Sequence, residues 1–220
     1  MPDAELAIII ELPWEIDSSV FITPVRDNKS PLEILFQRLS KIVPLSDMIL
    51  LTGHEPHHTP YGNFAAIKGL FLFRTDTEGR FSQLNRAIST KRMKTAIRVN
   101  ASHVFADPEI LAQMVEFHQK QNAMYTYLEG VPEWLGAEIF QRANLIDAFM
   151  MADEQGNLDE QPGMFMRSRQ DLYKTAAFKP KIRGRWKEVD LSLATSYAFT
   201  VDTIKRAPDP FTVTYRDFLG

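Results

Sequence analysis

Apolar positions along the chain switch repeatedly between two spacings. Leu6-Ala-Ile-Ile-Ile10 is a short unbroken apolar run, the pattern of a strand buried on both faces. Ser30-Pro-Leu-Glu33 then forms a capping box with proline at the first helical position, and Leu32, Leu35, Phe36, Leu39 and Ile42 recur at helical spacing. A second buried strand is predicted over residues 47–52 and a third over 70–73. Phe81, Leu84 and Ile88 stripe a helix that leads to a strand over 95–99. Asp107-Pro108-Glu109 opens another helix with the aspartate as N-cap, and Ile110, Leu111, Met114 and Val115 face inward. Residues 123–128 alternate as a strand. Residues 137–151 read as one amphipathic helix with Phe140, Ala143, Ile146, Phe149 and Met150 on its inner side. The pattern loosens through 152–187 and returns as a strand over 195–201.

Strands alternating with helices predict an α/β fold, a three-layer sandwich around a mainly parallel sheet. No repeat and no glycine- or serine-rich linker divides the chain, so a single domain over 1–220 is expected. Ligands bind such sheets beyond the carboxyl ends of the strands. The loops over 11–29, 53–63 and 100–106 are therefore where chemistry is expected.

Composition narrows the chemistry. The chain of 220 residues contains no cysteine, which excludes disulfides, thiolate-held metals and a thiol nucleophile. The first residues show neither a basic segment nor an apolar run of signal length, so a cytoplasmic protein without a membrane partner is expected. The net charge of −3 hides an uneven distribution. Residues 80–98 carry six basic and no acidic residues, 101–160 eleven acidic and two basic, and 161–187 eight basic and one acidic. Solvated faces account for such blocks; so would two basic edges flanking a phosphate-bearing ligand.

Four ordered stretches carry a family resemblance. They are Arg98-Val-Asn-Ala-Ser-His-Val-Phe-Ala-Asp-Pro-Glu109, Leu72-Phe-Arg74 with Gly79-Arg-Phe-Ser-Gln-Leu-Asn-Arg-Ala87, Leu135-Gly-Ala-Glu-Ile-Phe140, and Phe199-Thr-Val-Asp-Thr203. Together they resemble the nucleotidyltransferases that activate sugars as cytidine nucleotides, in particular the group of spore coat polysaccharide biosynthesis protein F and acylneuraminate cytidylyltransferase. The resemblance implies a Rossmann-like, mainly parallel sheet of the nucleotide-diphospho-sugar transferase type, with a nucleotide or nucleotide sugar as ligand. It also implies surface polysaccharide or glycan biosynthesis as the setting, and magnesium as the cofactor. A sugar oxygen would attack the α-phosphate of a nucleoside triphosphate, and pyrophosphate would leave.

The sequence departs from that family where phosphates and metal are held. The first glycine is Gly53, so the loop over 11–29 lacks the family's glycine-rich, basic pattern and carries Glu11, Glu15 and Asp17. Converging backbone amides need glycine. Arg26 and Lys29 are the cations left in that loop, and with Arg98 and Ser102 they are the expected nucleotide- and phosphate-binding residues. Ser102 stands where the first metal aspartate belongs, while Asp202 keeps the second as the expected metal ligand; a strand-end cap is its plainer role. Gly136 replaces another family aspartate, and Glu138 is retained. Trp134 and Glu138 are the expected sugar contacts, although a core or rim aromatic is the commoner role for Trp134.

Other chemistry-bearing clusters are weaker. Gly53-His-Glu-Pro-His-His58 offers donor types for zinc, but adjacent histidines lack the i, i+4 spacing that fixes ligand direction, and a surface loop is the simpler reading. His103 lies in a predicted ligand loop as a candidate base without an identifiable acidic partner. Lys179-Pro-Lys-Ile-Arg-Gly-Arg-Trp-Lys187 sets an aromatic among cations, yet the neighbouring acidic stretch argues against nucleic acid as a partner. Homodimer formation stays open. Two functional readings stand: a diverged sugar nucleotidyltransferase, or a non-catalytic relative that binds or scaffolds a nucleotide or sugar. A glycosyl transferase of related fold is disfavoured by the absence of an Asp-x-Asp motif.

Overall fold

The computed structural model describes residues 4–13, 16–76, 79–91, 93–132, 135–182, 204–205, 209–212 and 214–218. Among these residues seven strands, β1 (Ala4–Glu11), β2 (Met48–Thr52), β3 (Phe71–Arg74), β4 (Met93–Asn100), β5 (Tyr125–Leu128), β6 (Glu138–Gln141) and β7 (Thr175–Phe178), form one sheet. Their order is β3-β2-β1-β4-β6-β5-β7. All neighbouring pairs are parallel except those of β6, which runs antiparallel to both β4 and β5. The predicted strand over 195–201 lies outside the described residues.

Helices cover both faces, and the alternation of β1 shows why its sequence is apolar throughout. Ile8 and Ile10 pack with Leu32, Leu35 and Leu39 of α2 (Pro31–Leu39) and with Ile110, Leu111 and Met114 of α5 (Pro108–Gln121). Ala7 and Ile9 face the other way, toward Phe81 and Leu84 of α4 (Arg80–Thr90), Leu145 and Ala148 of α6 (Arg142–Glu154), and Phe165 of α7 (Pro162–Arg167). The predicted caps form. Ser30 Oγ accepts from Glu33 N at 3.3 Å, while Glu33 Oε2 accepts from Ser30 N at 2.9 Å. Asp107 Oδ1 accepts from the amides of Glu109 and Ile110 at 2.8 and 3.2 Å.

The structure corrects one element of the sequence reading. Residues 137–151 are not a single helix: β6 occupies Glu138–Gln141, and α6 begins at Arg142. A strand running straight into a helix leaves no turn residues to mark the break, and the helical phase is set only from Arg142. Leu145, Ala148 and Ala152 are consequently the buried positions, whereas Ala143 and Met150 point outward. A short helix before α2, α1 (Ser19–Ile22), and a further one between β2 and β3, α3 (Pro60–Lys68), had no clear apolar stripe. β7 and α7, of four and six residues, are too short for a period to show. No described helix is long and apolar enough to cross a membrane.

Candidate functional site

Two adjoining clefts open at the carboxyl ends of β1 and β4, where the α/β architecture leaves strand ends uncovered. The smaller, about 420 Å³, is lined by Glu11, Leu12 and Pro13, by Gly79, Arg80 and Gln83 at the start of α4, and by Asn100 and Asp159. The larger, about 530 Å³, shares Arg80 and Asn100 with it and extends over β5 and β6 to α7.

The floor of the larger cleft is a chain of polar contacts across four strands. Arg98 and Glu138 are cross-strand partners in the β4–β6 register, and Tyr127 faces Glu138 across β5–β6. Arg98 Nε donates to Glu11 Oε2 at 2.5 Å, and its Nη1 donates to Glu138 Oε2 at 2.5 Å. Tyr125 donates its hydroxyl hydrogen to Glu138 Oε1. Burial works against the charge of Arg98, but the carboxylates of Glu11 and Glu138 outweigh it, and the pKa is raised. Burial, and then the negative charge of Glu138, push the Tyr125 hydroxyl upward as well, so it stays a donor. Both oxygens of Glu138 are thereby oriented from below.

Above this floor, Gly163 of α7 sits so close that an added Cβ would lie 2.2 Å from the Tyr125 hydroxyl and 2.3 Å from Glu138 Oε1. Gly136 lies equally near Leu128, whose Cδ2 would be 2.1 Å from an added Cβ. At the end of β4, the Asn100 side chain closes a turn by accepting from Ser102 N at 2.9 Å and from Ser102 Oγ at 2.7 Å. His103 is nearly buried in the same wall, its Nδ1 3.4 Å from the Gly136 carbonyl oxygen.

The expected site residues separate into three groups. Arg98 and Glu138 line the larger cleft, and Ser102 stands between two of its lining residues, Asn100 and His103. Arg26 and Lys29 line neither cleft. Asp27 and Asn28 take positive φ of 49° and 57°, which closes a tight hairpin and turns the chain back on itself. There Arg26 donates to the Ile204 carbonyl at 3.1 Å, and Lys29 lies 3.9 Å from Glu33. Trp134 and Asp202 lie outside the described residues, as does most of the basic run over 179–187. The histidine-rich segment is not simply a surface loop, because His58 is fully buried 3.2 Å from Glu55. Among the described residues no group of three or more histidines and carboxylates is placed to hold a metal ion.

Sequence reasoning did not single out Arg80, Arg167, Tyr125, Tyr127 or Asp159. A signal was present in the charge blocks: Arg80 and Arg98 from the first basic block and Arg167 from the second line the same cleft. The fold brings these blocks together because β4 and β5 lie either side of β6, with α7 packed against β5.

Comparison with known proteins places this architecture. No protein-family model matches the chain. Spore coat polysaccharide biosynthesis protein SpsF of Bacillus subtilis (strain 168) is 25% identical over 136 residues, which is 62% of this chain and 53% of that protein. The match thus spans about half the length of the curated relative. A cytidylyltransferase from Leptospira borgpetersenii superposes with a TM-score of 0.73 at 15% identity, over 98% of this chain and 92% of that one. A 4-diphosphocytidyl-2C-methyl-D-erythritol synthase from Anaerococcus prevotii gives a TM-score of 0.62 at 9% identity, over 89% and 96% of the two chains. The chain is therefore similar in sequence to SpsF and shares the mainly parallel α/β fold of nucleotide-diphospho-sugar transferases.

Proposed function

We propose that the protein is a diverged sugar nucleotidyltransferase that binds a cytidine nucleotide in the smaller cleft and a sugar in the larger. The supporting observation is that the two clefts meet at Arg80 and Asn100, at the carboxyl ends of β1 and β4, in a fold shared with cytidylyltransferases. In the reaction a sugar oxygen attacks the α-phosphorus, the bond to the β-phosphate oxygen breaks, and pyrophosphate leaves. Positioning and charge neutralisation supply most of such catalysis.

Arg80, exposed and common to both clefts, offers a guanidinium to the phosphates where donor and acceptor meet. Glu138, with one oxygen held by Tyr125 and the other by Arg98, has lone pairs left to accept from a sugar hydroxyl. The setting in surface polysaccharide or glycan synthesis rests on the likeness to SpsF.

Magnesium, when bound, would neutralise phosphate charge. At the residues the structure describes, the donors do not fit the two-carboxylate arrangement that the resemblance implies: the Ser102 hydroxyl is turned to Asn100, and the Glu11 carboxylate is taken by Arg98.

The test is a thermal-shift screen of nucleotides with and without magnesium, followed by pyrophosphate release from cytidine triphosphate across acidic and neutral sugars. Selective stabilisation by cytidine nucleotides is expected, because a ligand that binds only the folded state raises Tm by mass action. A screen in which no nucleotide shifts Tm sinks the proposal.

A further inference from the structure

One wall of the larger cleft belongs to α7, which the family resemblance leaves without a role. Gln161, Met164 and Arg167 all line the cleft, and their i, i+3, i+6 spacing sets them on one face of the helix. The helix is seated from below by Gly163, which approaches the Tyr125–Glu138 pair so closely that an added Cβ would displace one of them. Met164, 59% exposed, offers its apolar side chain at the mouth of the cleft. The guanidinium carbon of Arg167 lies 4.0 Å from the ring centroid of Tyr127.

Charge distinguishes Arg167 from the floor beneath it. Arg98 is matched by Glu11 and Glu138, whereas among the described residues neither Arg167 nor Arg80 forms an ion pair. Held against an aromatic face, a guanidinium keeps its N–H edges available, and their planar fork matches a carboxylate or phosphate.

We infer that α7 is the element that selects the acceptor: Arg167 contacts an anionic group on it, Met164 covers an apolar face, and Gly163 and Tyr125 are positioning residues that fix the helix. The inference rests on the nucleotidyl-transfer reading in taking the ligand of this cleft to be a sugar.

The experiment compares D-glucuronate, D-glucose 6-phosphate and D-glucose, three probes on one ring that differ in charge, by ligand-observed NMR titration of the full chain. Cytidine triphosphate is titrated separately. At least one anionic sugar should bind about ten-fold or more tightly than glucose, the worth of a charge-assisted contact. Which anion wins tells a carboxylate reader from a phosphate reader. Arg167→Ala should bring the anions down to the level of glucose, and Arg167→Lys should recover part of the difference. Met164→Ala should weaken all sugars that bind by a similar factor. Arg167 is exposed, so its loss leaves the fold intact, and cytidine triphosphate binding should not change. Equal binding of glucose and the anions, no sugar binding at all, or an Arg167→Ala variant indistinguishable from the parent overturns the inference. If the parent chain binds anionic sugar through Arg167 but no cytidine nucleotide, the nucleotidyl-transfer reading fails while the role of α7 stands.

Discussion

Tyr125 donates to Glu138 directly beneath Gly163, and the three residues come from β5, β6 and α7. A Cβ at this point of α7 would force Tyr125 or Glu138 to move. The contact couples the placement of α7 to the orientation of the carboxylate in the cleft floor.

Gly163→Ala should therefore displace α7 and lower stability by about 1–3 kcal/mol, the usual cost of overpacking. Urea unfolding measures this. Removing the hydroxyl with Tyr125→Phe in the same chain should return part of the loss, giving a double-mutant cycle that is clearly non-additive. Unfolding midpoints that simply add would show that the two residues do not share this contact.

Arg98→Met should be more damaging, because it strands Glu11 and Glu138 beside one another in a partly buried floor. A loss of about 3 kcal/mol is expected, since breaking a buried pair leaves uncompensated charge. Chemical denaturation reads the loss. A variant as stable as the parent would mean that solvent already screens this triad.

Acid should weaken the protein partly through His118. It is buried on α5, with Nδ1 2.8 Å from Thr126 Oγ1, and burial pulls its pKa from 6.5 down to about 4. The unfolded chain then binds a proton that the folded chain refuses, so stability is present above pH 6.5 and is lost as the pH falls from there toward 4. The full swing is on the order of 3 kcal/mol. Burial lowers the pKa of His58 as well, which adds in the same direction. His118→Gln should flatten the stability–pH curve by about one proton; an unchanged slope would rule His118 out as a source.

Ser30→Ala removes the acceptor of the capping box at the start of α2 and should cost about 1 kcal/mol. Because Ser30 itself is fully buried, the loss should show as a shifted thermal midpoint, whereas glycine at the same place should cost less.

Ser102→Asp places a carboxylate at the turn after β4, where Asn100 can turn its amide nitrogen toward it. We expect the thermal shift caused by cytidine triphosphate to become more dependent on magnesium, which coordinates carboxylate oxygens in preference to a hydroxyl. Shifts that are the same with and without the ion in both proteins would argue against Ser102 as a metal position.

Much of the framework was already encoded locally. The apolar run at Ile8–Ile10, the capping box at Ser30 and Glu33, and the N-cap at Asp107 depend on neighbours within a few residues, so these elements could be placed from composition and spacing. The order of motifs likewise pointed to the nucleotide-diphospho-sugar transferase fold that the comparisons bear out. The break between β6 and α6 could not be read, because Ile139 and Phe140 are apolar in either conformation and only pairing with β4 and β5 makes them strand.

The site divides in the same way. Sequence by itself determined which residue types were available: no cysteine, no glycine before Gly53, two basic blocks around an acidic stretch, and a glutamate at position 138. Tertiary structure decided which of them meet. It turned Arg26 and Lys29 away on a tight hairpin, matched Arg98 with Glu11 and Glu138, and brought Arg80 and Arg167 to one cleft from positions 87 residues apart. Helix caps and apolar stripes are fixed by short-range geometry, whereas ion pairs and cleft walls join distant segments through strand order, which a linear pattern does not contain.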